Sequence, residues 1–430
     1  MVYVIERCFK TFENWGGVKM NAQNLGGLPS DLKIRNRMLI LETMRDGDRY
    51  TAQDIAEHTG ISRPTVMKSI NFFISKGLMI EEGKGDSTEA GGKKPLLYRF
   101  VCSRLLLTIS LWPELVLLNL SSMDGKKIAS VRIEAPVRRT PEEMFALIEE
   151  KAGELLASQG GTVDQLYGVS LSTGGIVGYD TGVLKYSSLS PEWGNNIPMG
   201  RYLREIFGEQ TEIIVENAGK MAGRAEMLRE DVENKRIMVL FSTWGLSACL
   251  IEKGHVLNGG HSLIGEIGHM VIDSHDHELC GCGSYGCAER MLSKARIREM
   301  IREAGEDCRS SSLHQYPLAE MTPEMVFRCA QEGDPLAQRI ESRLAEIFAA
   351  LLRNASLVFD PDVIVFQGEY AYAGPSFIGK LKHNLRQFAY YPAEGAVEIK
   401  CDTRKLEELD YIGATFFLQH RFLADKRLYQ

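Results

Sequence analysis

Between positions 280 and 287 the chain reads Cys-Gly-Cys-Gly-Ser-Tyr-Gly-Cys, which puts three of its nine cysteines into eight residues. Gly281, Gly283 and Gly286 supply the turns that let so short a loop fold around a metal ion. Three thiolates and one further donor form a closed tetrahedral set, suited to a structural rather than a catalytic zinc. His269, His275 and His277 all precede the run and compete as the fourth ligand. The other six cysteines (Cys8, Cys102, Cys249, Cys308, Cys329 and Cys401) are scattered like small buried hydrophobes. Nothing in their spacing resembles a disulfide framework.

The chain around this loop is globular in usage, with 430 residues of which 44% are hydrophobic and 25% charged, enough for two or three domains. Its longest apolar stretches, such as Ile237–Phe241, fall far short of the ~18–20 residues that span a bilayer. Residues 1–30 lack an apolar segment of signal-peptide type, so a cytoplasmic protein is expected, with Met20 an alternative start to Met1. Charge is uneven: residues 31–100 hold 12 Lys and Arg against 10 Asp and Glu, whereas the whole chain stands at −7. A slightly basic head on an acidic body is able to bind an anionic polymer through the head alone.

The head reads as a winged helix-turn-helix. A helix over residues 31–46 stops at Asp46-Gly47-Asp48. Thr51 and Asp54 form an approximate capping box for a second helix, and Thr59-Gly60 makes the sharp turn. Ser62 is placed to cap a third helix, with Pro64 in its first turn. Val66, Ile70 and Phe73 form its buried stripe. Its other face, with Ser62, Arg63, Thr65, Lys68 and Ser69, carries the short polar and cationic side chains that read base edges in a major groove. Leu78–Ile80 and Leu96–Tyr98 read as strands around a loop rich in glycine and lysine, whose Lys93 and Lys94 suit phosphates. A helical bundle with an ordinary hairpin, used for protein contacts, is the alternative.

Beyond residue 100 strands and helices alternate over some 300 residues, which implies two lobes around a cleft. Strands are expected at Leu105–Leu111, Leu115–Leu120, Lys127–Ile133, Leu166–Ser172, Ile237–Ser242 and Ser247–Glu252, with a late one at Val363–Phe366. Helices are expected at Pro141–Gln159 and Ala218–Arg229.

Gly265-Glu266-Ile267-Gly268-His269-Met270, followed by the cysteine run and Ala288-Glu289, resembles the signature of the ROK family of repressors, open reading frames and sugar kinases. The winged head, with Gly91-Gly92-Lys93-Lys94-Pro95 at its junction, is similar to the family's regulator branch. Supporting matches are Ser190-Pro191-Glu192-Trp193, Glu332-Gly333-Asp334-Pro335-Leu336-Ala337 and Asp360-Pro361-Asp362-Val363-Ile364-Val365. The resemblance runs from about Asp31 to Ala414. It implies an N-terminal arm (1–30), a winged helix-turn-helix (31–100) and a two-lobed actin-like ATPase (ribonuclease H-like) kinase-type body (101–430) containing a metal motif at 265–289. It selects His269 as the fourth zinc ligand beside Cys280, Cys282 and Cys287.

The same resemblance implies that phosphate transfer is lost. Kinases of this family turn their first strand through Asp-x-Gly-Gly-Thr, whose amides hold nucleotide phosphates; the matching stretch here is Ser110-Leu111-Trp112-Pro113-Glu114. The second phosphate loop, Gly-Thr-Gly in the kinases, is Ser242-Thr243-Trp244. The catalytic base of an Asn-Asp pair is replaced in Asn217-Ala218, and alanine takes no proton from a sugar hydroxyl. The late glycine pair is reduced to Gln367-Gly368. Asn217, Glu266, His269 and Glu289 match sugar-binding positions. The expectation is a DNA-binding transcriptional regulator, a repressor linked to carbohydrate metabolism and not an enzyme. Its partners would be a double-stranded operator, a sugar or sugar-phosphate effector, and a second copy as homodimer or higher oligomer, through helix faces such as Ile340, Leu344, Ile347 and Leu351. A ROK sugar kinase with an added DNA-binding head is the competing expectation.

Overall fold

The computed structural model describes residues 29–85, 94–134, 140–229, 231–305, 310–390, 392 and 395–430. The head comprises α1 (Pro29–Thr43), β1 (Arg49–Thr51), α2 (Ala52–Thr59), α3 (Arg63–Ser75), β2 (Met79–Lys84) and β3 (Leu96–Phe100). Thr51 caps α2 through the expected reciprocal box, its hydroxyl accepting from Asp54 N while the Asp54 carboxylate accepts from Thr51 N. Gly60 follows in the left-handed region at φ 67° and turns the chain toward α3. Ser62 stands at the start of α3, but its hydroxyl lies 3.0 Å from Thr65 Oγ1 and caps no backbone amide. Strand β1 was not expected. It pairs with β3, burying Tyr50 opposite Tyr98, and gives the wing three strands in the order β1-β3-β2. Three residues are too few for an alternating pattern to show.

Two lobes follow. In the first, β4 (Leu105–Trp112), β5 (Leu115–Ser122) and β6 (Lys127–Glu134) form an antiparallel meander. After α4 (Pro141–Ser158), β7 (Leu166–Thr173) runs parallel to β4. The short hairpin of β8 (Ile176–Gly178) and β9 (Val183–Tyr186) leads to α5 (Met199–Phe207) and then to β10 (Glu212–Asn217), parallel to β7. The order is β10-β7-β4-β5-β6, with α4 and α5 burying residues such as Phe145, Ile148 and Phe207 against one face.

A buried connector, α6 (Ala218–Gly223) continuing as a 3₁₀ turn over Arg224–Leu228, leads to the second lobe. There β11 (Arg236–Ser242), β12 (Leu246–Glu252) and β13 (His255–Val256) form a second antiparallel meander. Among the described residues the chain then turns helical through α7 (Ala288–Met291), α8 (Lys294–Glu303), α9 (Pro323–Gln331) and α10 (Pro335–Phe359). Then β14 (Val363–Gly368) runs parallel to β11, α11 (Pro375–Arg386) crosses over, and β15 (Glu398–Asp402) runs parallel to β14. The order β13-β12-β11-β14-β15 repeats that of the first lobe, a meander followed by two parallel strands. This is the twofold kinase-type body expected. Among the described residues no helix is long and apolar enough to cross a membrane.

Two features of the packing position the site. Gly219 and Gly223 let α6 lie directly on β12, where a Cβ would collide with Ser247 and Cys249 respectively. The last helix, α12 (Leu406–Ala424), returns to the first lobe and reaches the head. Its Phe417, Leu418, Phe422 and Leu423 join residues of the head, including Leu41, Phe73 and Phe100, in one hydrophobic cluster. Phe422 touches both Phe100 of the head (6.4 Å between ring centroids) and Tyr167 of β7 (5.0 Å). Arg37 of α1 donates 2.8 Å to the carbonyl of Tyr429 just beyond α12. The faces Ile340, Leu344, Ile347 and Leu351 are buried within the core of the second lobe, so they provide no interface to another copy.

Phe422→Ala is therefore expected to cost about 3–5 kcal/mol, the usual loss for a buried phenylalanine. Head and body should lose stability together in urea denaturation followed by far-UV circular dichroism, and a cost below ~1 kcal/mol would refute a shared core.

Candidate ligand cleft, metal centre and DNA-binding head

The metal candidates converge. His269 ends a 3₁₀ turn (Ile267–His269) that approaches β12 closely because Gly265 and Gly268 carry no Cβ to strike the carbonyls of Ala248 and Leu246. One donor atom from each of His269, Cys280, Cys282 and Cys287 lies within 4.8 Å of the others. Cys282 and Cys287 Sγ are 3.7 Å apart, and Cys280 Sγ is 3.7 Å from His269 Nδ1. Two thiolates each ~2.3 Å from a tetrahedral zinc lie ~3.8 Å apart, so the spacing fits the ion. It is too long for a disulfide, whose sulfurs lie ~2 Å apart. Without a cation, burial and the adjacent thiols push the Cys287 thiol up to about 12; a bound cation would reverse that. His275 and His277 are not members of the set.

Beside this centre, at the junction of the lobes, lies a cavity of about 110 Å³ lined by Asn217, Glu266, His269 and Glu289 among others. Asn217 ends β10 and caps α6, its Oδ1 accepting from Gly219 N (2.9 Å) and Lys220 N (3.2 Å) while Nδ2 donates to Gly175 O (2.8 Å). It shapes the wall, with its amide engaged by backbone. Glu289 Oε2 accepts from Leu246 N at 2.8 Å. Burial, opposed by Lys220 and aided by Glu289, pushes the Glu266 carboxyl up to about 7. His269 turns Nδ1 toward Cys280 and also lines the cavity. Two bonds that no local pattern announced close this side of the cleft: Tyr186 Oη donates to Gly281 O (3.0 Å) and Lys185 Nζ to His261 O (2.9 Å).

At the cavity's other end Trp112, from the end of β4, meets Trp244, from the β11–β12 turn, with ring centroids 5.6 Å apart and planes tilted by 50°. Ala218 and Phe241 belong to the same apolar cluster. Beyond the indoles a second cavity of about 690 Å³ opens between the lobes, with Glu114, Glu134, Glu324, Glu369 and Glu407 in its lining against Arg132, Arg404 and Lys405.

In the head, α3 exposes Arg63, with Ser62 exposed just before it and Thr65 half-buried. Lys68 is exposed a turn further on. No ion pair involving Arg63 occurs among the described residues, and Asp54 is engaged in its capping box. Ser69 is a correction: it is buried, with its hydroxyl donating to Thr65 O at 3.1 Å, because its position lies between Val66 and Phe73 on the core side. Asn71, three residues beyond Lys68 and exposed, completes the polar face that the sequence reading left short. Lys94 is exposed at the base of the wing, whereas Lys93 lies outside the described residues.

The ROK family matches residues 116–420, and a winged helix-turn-helix DNA-binding family matches residues 35–78. This chain belongs to the ROK family. It is similar to a putative xylose repressor of Caldicellulosiruptor sp. (strain Rt8B.4), 24% identical over 368 residues covering 84% of this chain and 89% of the relative. It is also similar to a glucokinase of Thermotoga maritima, 24% identical over 70% of this chain and 93% of that one. The fold resembles the crystal structure of a ROK family transcriptional regulator described as a homolog of the E. coli MLC protein, with a TM-score of 0.72, 21% identity and coverage of 92% and 98%.

Close to the turn after β4, a buried carboxylate gathers two hydroxyls. Ser110 and Ser172, near the ends of β4 and β7, both donate to the carboxylate of Asp410 on α12, the Ser172 bond being 2.7 Å. Burial pushes the Asp410 carboxyl up to about 6, with the two hydroxyls opposing. The polar ends of β4 and β7 thus face α12.

We expect metal analysis of protein prepared without chelators to return about one zinc per chain. Cys282→Ser should release it and lower Tm by several degrees, and protein that holds no metal yet folds with unchanged Tm would contradict the four-donor centre.

Proposed function

We propose that this chain is a DNA-binding transcriptional regulator, a repressor linked to carbohydrate metabolism, whose kinase-type body senses a sugar or sugar-phosphate effector and no longer transfers phosphate. The observation that supports the reading is the Trp112–Trp244 contact, formed by the two turns that, by the family resemblance, match the kinases' phosphate loops. Pro113 removes an amide donor from that turn, and Ala218 offers no base. Five carboxylates against three cations in the larger cavity repel rather than attract a triphosphate. The competing reading, a sugar kinase with an added head, is supported by the similarity of the body to a glucokinase.

In this reading zinc on His269 Nδ1 and the three cysteines fixes the imidazole, so that Nε2 presents to an effector hydroxyl beside Glu266 and Glu289. The head reads DNA through α3, with Arg63 at its first turn, while Lys68, Lys93 and Lys94 meet phosphates. A palindromic operator would require two heads related by a two-fold axis, and hence a dimer.

ATP with a panel of hexoses should give no turnover above that of an Asn217→Ala control in a coupled assay. Activity well above that background would install the kinase reading. Against an operator selected from genomic DNA, Arg63→Ala should lose on the order of 1–3 kcal/mol and relax preference at one base position. Lys68→Ala and Lys94→Ala should weaken operator and scrambled duplex alike, each lowering the salt dependence by about one charge. Unchanged affinity in all three variants would remove the head from DNA binding.

A further inference from the structure

The three cysteines of the candidate metal centre are not equally sheltered. Cys280 and Cys287 are buried, whereas Cys282 is exposed and also lines the smaller cavity. Its Sγ stands 3.7 Å from that of Cys287, while Cys280 Sγ lies 3.7 Å from His269 Nδ1. An accessible thiolate beside a second cysteine is the arrangement in which oxidation runs on to a disulfide. The pair would have to close from 3.7 Å to the ~2 Å of a disulfide. Between the two cysteines run Gly283, Ser284, Tyr285 and Gly286. Gly283, at φ 85°, has nothing within 4 Å of where a Cβ would stand, so this segment has space to shift. Cys401 is also exposed but lacks that setting. Its Sγ lies 3.9 Å from the carbonyl of Ala373, and it is not one of the four clustered donors.

We propose that Cys282 is a site of reversible oxidation by a small peroxide, that Cys287 resolves it, and that the disulfide so formed expels the metal. The proposal goes beyond the regulator reading and rests on the four-donor metal centre. Zinc holds its cysteine ligands as thiolates. The Cys282 thiolate attacks one oxygen of hydrogen peroxide: an S–O bond forms, the O–O bond breaks and hydroxide leaves, giving a sulfenic acid. The Cys287 thiolate then attacks that sulfur: an S–S bond forms, the S–O bond breaks and a second hydroxide leaves. Each hydroxide takes up a proton. Two thiolates, one peroxide and two protons thus yield one disulfide and two waters, and the two electrons given up by sulfur pass to the peroxide. Cys280 and His269 alone are too few to retain the ion. Tyr186 of β9 donates to the carbonyl of Gly281, directly before Cys282, at 3.0 Å. A shift of Cys282 therefore acts on a bond that ties the first lobe to this loop.

The test uses full-length protein purified with its metal and without chelators. Excess hydrogen peroxide should release about one zinc per chain, read with a chromogenic chelator, as two free thiols are lost. All three loop cysteines lie in the tryptic peptide 254–290. When free thiols are alkylated before digestion, mass spectrometry should find the label on Cys280 and not on Cys282 or Cys287. A dithiol reductant with added zinc should restore metal and thiols together. Cys282→Asp keeps a donor for the ion and should release zinc at least ~10-fold more slowly. Cys401→Ser should release it as the unaltered protein does. If the aspartate variant does not fold, the labelling pattern of the unaltered protein decides. Zinc retained under excess peroxide, or released with Cys282 still free, would overturn the proposal and leave the metal centre standing. Protein that carries no metal as purified would overturn both.

Discussion

Helix α12 meets the head and the first lobe at once, and the aromatic contacts of Phe422 with Phe100 and Tyr167 make a single core of what the chain order presents as separate units. Earlier on the same helix, Phe417 lies under the guanidinium of Arg224 at 3.9 Å, and Arg224 is paired in turn with Glu216 at 3.0 Å, both fully buried. Removing either partner of such a pair would leave an uncompensated charge in the interior, so the junction of β10, the connector and α12 is fixed as a unit. Asn217, whose side chain shapes the ligand cavity, directly follows Glu216. The head thus rests on a chain of contacts that begins at the cavity wall.

The Trp112–Trp244 contact and the Asp410 hydroxyl cluster both involve residues at the end of β4. Between the lobes this cleft holds an indole pair. It turns Ser110 and Ser172 inward to a carboxyl that burial keeps protonated more readily than usual. The smaller cavity beside the four candidate metal ligands is lined by Glu266, His269 and Glu289 and also by the hydroxyl-bearing Thr243 and Ser247.

Much of this was legible in the sequence because the signals were local. The Thr51–Asp54 box, the Gly60 turn, the Val66/Ile70/Phe73 stripe and the spacing of Cys280, Cys282 and Cys287 each depend on residues close together in the chain. Trp112, Trp244 and Ala218 were legible as departures from a family pattern, though only the fold shows the indoles touching. Errors came where periodicity leaves a boundary ambiguous. Ser69 sits one position inside the edge of the polar face of α3, and the apolar stripe of α10 is a core stripe rather than a surface one. The short strand β1 and the cross-cleft bonds of Tyr186 and Lys185 carry no local pattern, because their partners are about 50 to 95 residues away.

The glycines of α6 have a mechanical consequence. Gly219 and Gly223 lie flush on β12, and Gly413 of α12 lies flush on the backbone of Met221, so the three elements interlock without slack. Gly219 and Gly223 sit against the side chains of Ser247 and Cys249, and Gly413 against a backbone carbonyl. Even a methyl group at any of the three positions would have to prise the connector off its neighbours, so the seating of α6 between β12 and α12 is fixed by three missing side chains.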